Sequence, residues 1–235
     1  MLLASGRPTR ADDQAEGKRI IDKAIEAHGG APKLMKFMAA SWKGKGTFRQ
    51  GADVQEFTGH YAVQFPVKSR FDITGGNGRF VSVLNGNKGW ARFGDDTQEL
   101  DMAALEEMKE NLYAMWLTTL TPLSDKSFLL TPQGESKSAE RPVLGVKIAQ
   151  KGHRDVLLYF DKDTWLLAKS STKAKNVFLG GLEFEAEDTY SDYKEFDGVK
   201  RAMKMKQVRG KMVVEITFSD YKLCDKLSDE LFVKP

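Results

Sequence analysis

One cysteine, Cys224, and three histidines, His28, His60 and His153, are the only soft metal-ligand side chains in 235 residues. A single thiol closes no internal disulfide. Cys224 lies in YKLCDKL without the local signature of a catalytic cysteine, so it reads as a small buried hydrophobe. The histidines are far apart, and none has a second ligand at the spacing of a zinc site; neither a metal nor a cofactor is expected. His28 falls at a helix end, where a cation is favoured, His60 on the polar side of a strand, and His153 beside Gly152 in a hairpin turn. There is no G-x-S-x-G elbow. Gly75, Gly76 and Gly78 are followed by no Lys-Ser or Lys-Thr and are turn glycines rather than a phosphate loop. An excess of one charge is missing too: 36 basic residues face 33 acidic ones, net +3, with no cationic stretch to track a phosphate backbone, which argues against nucleic acid. No run of ~18 apolar residues exists to span a bilayer as a helix.

What is present is alternation. From Lys211, the segment KMVVEITFSDY places Met212, Val214, Ile216 and Phe218 on one face and Val213, Glu215, Thr217 and Ser219 on the other, the period of a half-buried strand. YSDYKEFDGVKRAMKMKQV holds two more extended runs broken at Asp197-Gly198, residues that tolerate the positive φ of a tight turn. DVLLYF and TWLLAKS flank another turn at Asp161-Lys162-Asp163. Six further strands are predicted in SWKGKGTFRQ, VQEFTGHYAVQFP, KSRFDIT, RFVSVLN, KGWARFG and TQELD, with glycine-bearing turns between them. Ser170 to Leu182 is predicted to be a loop, and SDELFVKP a tail.

Two helices stand out. Ile20, Ile21, Ala24 and Ile25 recur at helical spacing within Asp12–His28, which Gly29-Gly30 stops, and a short second helix follows Pro32. In Asp101–Thr118, Leu105, Met108, Leu112, Met115 and Trp116 share one side, with Glu106, Glu107, Lys109 and Glu110 opposite. Residues 1–11 read as a disordered tail or the remnant of a signal peptide; Gly6 stands where a lipobox would need its cysteine, so lipidation is not supported. Residues 12–235 are expected to form a single domain, since no linker, repeat or low-complexity block divides them. Glu183, Glu185 and Glu187 fall on one strand side opposite Leu182, Phe184 and Ala186 and read as a solvated exterior. No catalytic residue is singled out. Aromatic side chains spread over many strands fit either a packed core or a cavity lining, and a curved sheet of about ten strands encloses more volume than its side chains readily fill.

The order of motifs carries more than any one of them: AHGG after the first helix, WKGKG, FPVKSRFDI, NGNKGW, a mid-chain helix, TPLSDKSFLL, LYFDKDTWLLAKS, YSDYKEFDGVK, VVEITFSDYKL and LSDELFVKP. In that order, over nearly the whole chain after Asp12, they resemble the outer-membrane lipoprotein-sorting carriers, the LolA and LolB-like superfamily, in particular an exported bacterial branch. The resemblance implies a mainly β (α+β) fold: a single curved antiparallel sheet forming an incomplete β-barrel covered by a few helices, whose interior holds lipoprotein acyl chains or another lipid.

It further implies a monomeric, soluble, periplasmic or otherwise exported carrier that needs no covalent chemistry and exchanges its cargo with membrane-bound donor and acceptor proteins. Burial is worth ~0.8 kcal/mol per methylene, so an acyl chain of ~16 carbons offers ~12 kcal/mol gross. The expected lining is Phe57, Tyr61, Val63, Phe65, Phe71 and Ile73, with Trp90, Met108, Leu112, Met115 and Trp116 as wall or lid. The alternatives are an interaction module that uses the same sheet as a solid platform, and an enzyme whose site is assembled from distant acids.

Overall fold

The computed structural model describes residues 10–76, 78–176 and 181–235. Two helices open the chain, α1 (Arg10–Ala27) and α2 (Ala31–Lys36). A meander follows: β1 (Ala39–Gln50), β2 (Asp53–Gln64), β3 (Lys68–Gly75), β4 (Gly78–Asn85), β5 (Lys88–Phe93) and β6 (Asp96–Glu99). Helix α3 (Met102–Thr118) then leads to β7 (Leu129–Ser138), β8 (Arg141–Ala149), β9 (Val156–Asp161), β10 (Leu167–Asn176), β11 (Leu182–Phe196), β12 (Val199–Arg209) and β13 (Met212–Cys224).

All thirteen strands, rather than about ten, form one antiparallel sheet in the order β6-β5-β4-β3-β2-β1-β13-β12-β11-β10-β9-β8-β7. The pairing of β1 with β13 joins the two meanders at the centre, so β6 and β7, neighbours in sequence, are the two free edges. The sheet is curved and not closed, and helices cover its inner side, as the resemblance implies. Helix α3 and a short 3-10 turn over Thr121–Ser124 join the two edges, and α3 crosses the concave side, touching β4 and β5 on one flank and β9 and β10 on the other.

Three apolar clusters follow from this arrangement. Ile20, Ile21, Ala24 and Ile25 of α1 pack on Leu130, Val146, Ile148, Val156, Leu158 and Phe160. Gly17 is why α1 can lie so close: a Cβ there would meet Leu130 at 2.9 Å. Gln14 completes the edge strand, its amide donating to the Phe128 carbonyl at 3.2 Å and accepting from Leu130 N–H at 2.7 Å. A second cluster joins Ala40, Val63, Leu84 and Leu112 beneath α3. A third lies on the convex side, where Phe232 is fully buried against Ala62, Val81 and Val83. The expected tail is thus a folded element, a short 3-10 turn over Asp229–Phe232.

Several expectations change. Arg10 and Ala11, assigned to the tail, are already helical, and residues 1–9 lie outside the described residues. Most of the expected loop is strand: Lys169 to Asn176 pairs with β11, and Ser170, Ser171 and Ala174 are buried. Small and cationic residues hid that strand because its sites are set by neighbours on both sides, not by its own propensity; residues 177–180 lie outside the described residues. Cys224 is not beyond the last strand but ends β13, paired with Ala39 and half-buried.

Glu107 and Glu110, expected on the exposed side of α3, point inward at Arg154 and His153. Arg154 donates to both Glu107 oxygens, one of them at 2.9 Å, and its backbone N–H reaches Glu110 at 2.9 Å. Lys175 N–H also donates to Glu107, at 2.9 Å, and the His153 ring bonds Glu110 at 2.8 Å while stacking on Tyr113 at 3.8 Å. Burial alone would raise the Glu107 carboxyl, but the Arg154 guanidinium and the Lys175 N–H outweigh it and hold it below the usual carboxylate range.

His28 is not a cation. It is 2% exposed; its Nδ1 faces the Ala24 carbonyl at 2.7 Å, and Leu167 N–H points at Nε2 at 3.4 Å. Burial is the main reason its pKa falls from 6.5 to about 4, with Arg201 and Lys200 adding to it against the pull of the Ala24 carbonyl.

Two outcomes are expected. The unfolded chain takes up the His28 proton near pH 6.5 and the folded one only near pH 4, so stability is full above that window and falls through it on acidification. Urea unfolding should show about 2 kcal/mol lost between pH 7 and pH 5, a loss that His28→Gln largely removes. Glu107→Ala should cost about 1–3 kcal/mol at pH 7, at the low end for a buried pair because Arg154 is partly solvated, and the gap to wild type should shrink on acidification as the native carboxylate, held below the usual range, itself protonates.

Candidate functional site

The concave side is not filled. A cavity of about 390 Å³ lies between the sheet and α3, bordered by Trp42, Val63, Phe65, Phe71, Met115 and Phe218 among others. A second space of about 560 Å³ adjoins it along Phe48, Phe57, Tyr61, Ile73, Phe80 and Ile216. A third, of about 280 Å³, runs under α3 along Phe80, Met108 and Leu112. Phe71 and Met115 border all three, an aromatic ring and a flexible thioether at the point where the spaces meet. The two larger spaces fall within the ~300–1,000 Å³ typical of ligand sites.

The floor is aromatic. Trp42 and Tyr61 are cross-strand partners and stack with centroids 5.6 Å apart; Tyr221 stacks on Trp42 at 5.3 Å, and Phe218 meets both Trp42 and Tyr61 edge-on. Tyr61 lies flat on the sheet because β2 and β1 offer no side chain beneath it. A Cβ on Gly59 would stand 2.6 Å from its hydroxyl, and one on Gly44 would stand 3.1 Å from its ring. Removing two Cβ atoms therefore lowers the floor and widens the space above.

One local device repeats. The sequence carries Tyr190-Ser191-Asp192-Tyr193 and Phe218-Ser219-Asp220-Tyr221, and both aspartates adopt left-handed backbone, with φ of 56° and 51°. Residues three apart in a regular strand face opposite sides. The kink, which opposite Ser41–Lys43 shifts the β1–β13 register by one residue, brings both aromatics of each motif to the same cavity. Aspartate is one of the few residues that tolerates this backbone.

Polar groups sit at separate points of the wall. Tyr190 bonds Ser170 at 2.9 Å, and the Tyr193 hydroxyl donates to the Leu167 carbonyl at 2.7 Å. Burial raises the pKa of Tyr61 to about 12 and pushes those of Tyr190, Tyr193 and Tyr221 up as well, so these hydroxyls stay neutral. Asp188 is also pushed up by burial, against the pull of Arg209, which pairs with it at 2.7 Å. No group of three or more His, Cys, Asp or Glu among the described residues is placed to hold a metal ion.

Of the eleven expected lining residues, Phe57, Tyr61, Val63, Phe65, Phe71, Ile73, Met108, Leu112 and Met115 border these spaces. Trp90 does not: it packs on the convex side with Val81, Val83 and Phe232, because its neighbours Gly89 and Ala91 take the inward positions of β5. Trp116 turns away from the cavity into the α1 cluster. The lining also includes residues never proposed for it: Phe184, Met205, Tyr190, Tyr193 and Tyr221. The doubled aromatic-Ser-Asp-Tyr motif was the signal for three of these.

No protein-family model matches the sequence, and no curated protein matches it. Solved structures do. A LolA superfamily protein from Nitrosomonas europaea superposes with a TM-score of 0.57 at 12% identity, covering 93% of this chain and 97% of that one. A DUF1329 family protein from Desulfovibrio piger gives 0.60 at 12% identity over 92% and 96%. An outer membrane lipoprotein-sorting protein domain from Vibrio parahaemolyticus gives 0.57 at 10% identity over 93% and 97%. At such identities the likeness establishes a shared LolA-like fold.

Gly59→Ala tests how the floor is built. The added methyl must displace the Tyr61 ring, so about 1–3 kcal/mol of stability should be lost in urea unfolding. A substitution with no effect would show that Tyr61 does not depend on the glycine for its seat.

Proposed function

We propose that the protein is a soluble, monomeric, extracytoplasmic carrier that holds lipoprotein acyl chains or another lipid in the concave cavity. The observation that supports this most is the open aromatic space between β1–β3, β12–β13 and α3, which a solid interaction platform would not require. Val63 and Leu112 share a packed cluster, yet Phe57 and Tyr61 border a space of about 560 Å³ instead of closing on the helix. Apolar burial at ~25 cal/mol per Å² gives a hydrocarbon chain enough to offset the ordering costs of association.

The reading needs no covalent step. Glu107 and Asp188 both border the cavity with carboxyls displaced in opposite directions, the pattern that an acid and base pair would show. Each, however, is engaged by an arginine, Arg154 and Arg209 respectively. Donor and acceptor proteins at membranes would be the exchange partners, and residues 12–235 the single folded unit that carries the cargo.

Native mass spectrometry of gently purified protein, followed by organic extraction, is the direct test. The expected result is an acyl-bearing adduct that extraction removes. Phe65→Asp should abolish uptake of added lipid while Glu185→Lys leaves it unchanged, because Phe65 borders the cavity and Glu185 is exposed. A protein that is clean of lipid and takes up none would favour the interaction module.

A further inference from the structure

The cations at the cavity wall are not treated alike. Arg209 at the wall is paired with Asp188, and Arg154 behind it holds the wall residue Glu107, but Arg201 forms an ion pair with no acid among the described residues. Arg201 is half-buried and borders the cavity beside the Tyr221 hydroxyl, and its hydrogen bond goes to a neutral acceptor, the Lys200 carbonyl at 3.5 Å. Leaving a guanidinium partly desolvated without an anion is unfavourable. Lys200 and Lys175 border the same space and have no ion-pair partner among the described residues either, but Arg201 is the guanidinium.

A second unfilled donor lies close by. Tyr221, which lies beside Arg201, stacks on Trp42, whose indole N–H is buried without an acceptor among the described residues. Buried polar groups are nearly always satisfied, so an orphaned donor beside an unpaired guanidinium calls for an explanation. The far end of the space differs: Phe57, Phe80 and Phe93 line it, Phe93 is 57% exposed, and of the two charged residues at its mouth, Glu56 and Arg79, the cation is already paired with Asp72. The cavity is thus amphipathic along its length, with a cationic, donor-rich end and a hydrocarbon-like end.

We propose that Arg201 receives the carboxylate of a long-chain fatty acid whose alkyl tail lies along the aromatic floor toward Phe80. This rests on the carrier reading above and narrows its ligand to a single-chain anionic amphiphile. The planar guanidinium fork matches a carboxylate with two parallel N–H···O bonds, a fit that a neutral ester or hydroxyl head cannot repay.

Palmitic acid and cetyl alcohol, equal in chain length, are titrated against protein loaded with the neutral fluorophore N-phenylnaphthylamine, and displacement is read. The wild type should bind the acid about tenfold or more tighter than the alcohol. Arg201→Gln should erase that preference while keeping the affinity for the alcohol, and Arg201→Lys should retain part of it. Acid and alcohol displacing equally well from the wild type, or a preference that survives in Arg201→Gln, overturns the proposal and leaves the carrier reading intact. Lysophosphatidic acid displacing better than palmitic acid overturns the choice of carboxylate. Failure of the fluorophore and of both ligands to bind the wild type overturns the carrier reading and this inference with it. Should Arg201→Gln not fold, the wild-type ratio and its decline in Arg201→Lys decide.

Discussion

The chain has to pass from one free edge of a thirteen-stranded sheet to the other in a single step, and nearly everything about the site depends on how it does so. β6 and β7 are consecutive strands at opposite ends of the strand order. An antiparallel sheet built from hairpins needs no crossover within either half, so the span falls to α3 and the short Thr121–Ser124 turn that follows it. A helix of 17 residues is about 25 Å long, enough to reach from β4 and β5 to β9 and β10 across the concave side but too narrow to fill the hollow beneath it. The void is therefore a consequence of topology. The side chains decide only its chemistry.

That chemistry is carried by departures from regularity. Two left-handed aspartates turn a period of two into a spacing of three, and two side-chain-free positions let Tyr61 lie down. Each departure costs stability locally. Each also places an aromatic surface where a regular strand would have placed a solvated one.

Much of the fold was legible because half-buried antiparallel strands advertise themselves. Met212, Val214, Ile216 and Phe218 alternate openly, Asp197-Gly198 marks its turn, and Leu105, Met108 and Leu112 mark the inner side of α3. What stayed hidden was set by tertiary context. β10 reads as a polar loop because Ser170, Ser171 and Ala174 have no apolar signal of their own, although pairing with β11 buries them. Glu107 looked solvated because its partner, Arg154, is 47 residues away. His28 sits at a helix end where a proton is normally welcome, but burial there outweighs the helix dipole. Trp90 shows the limit of reading aromatics as a set, since adjacent positions of one strand serve opposite sides of a sheet.

The two flanks of α3 are held in different ways, and this difference bears on how one cavity could accept chains of unequal length. Toward β9 and β10 the helix is fixed by directional bonds, Glu107 and Glu110 to Arg154, Lys175 and His153. Toward β2–β4 it rests on apolar contacts that include Met108 and Met115 against Val63, Phe71 and Leu84. Directional bonds lose their value when a partner moves by an ångström, whereas thioether contacts re-form in a new rotamer at little cost. Any adjustment of volume is thus cheapest at the methionine flank, where Met115 already borders all three spaces. The bonds on the other flank keep the cover in place while that happens, so the same helix supplies both a fixed wall and a deformable one.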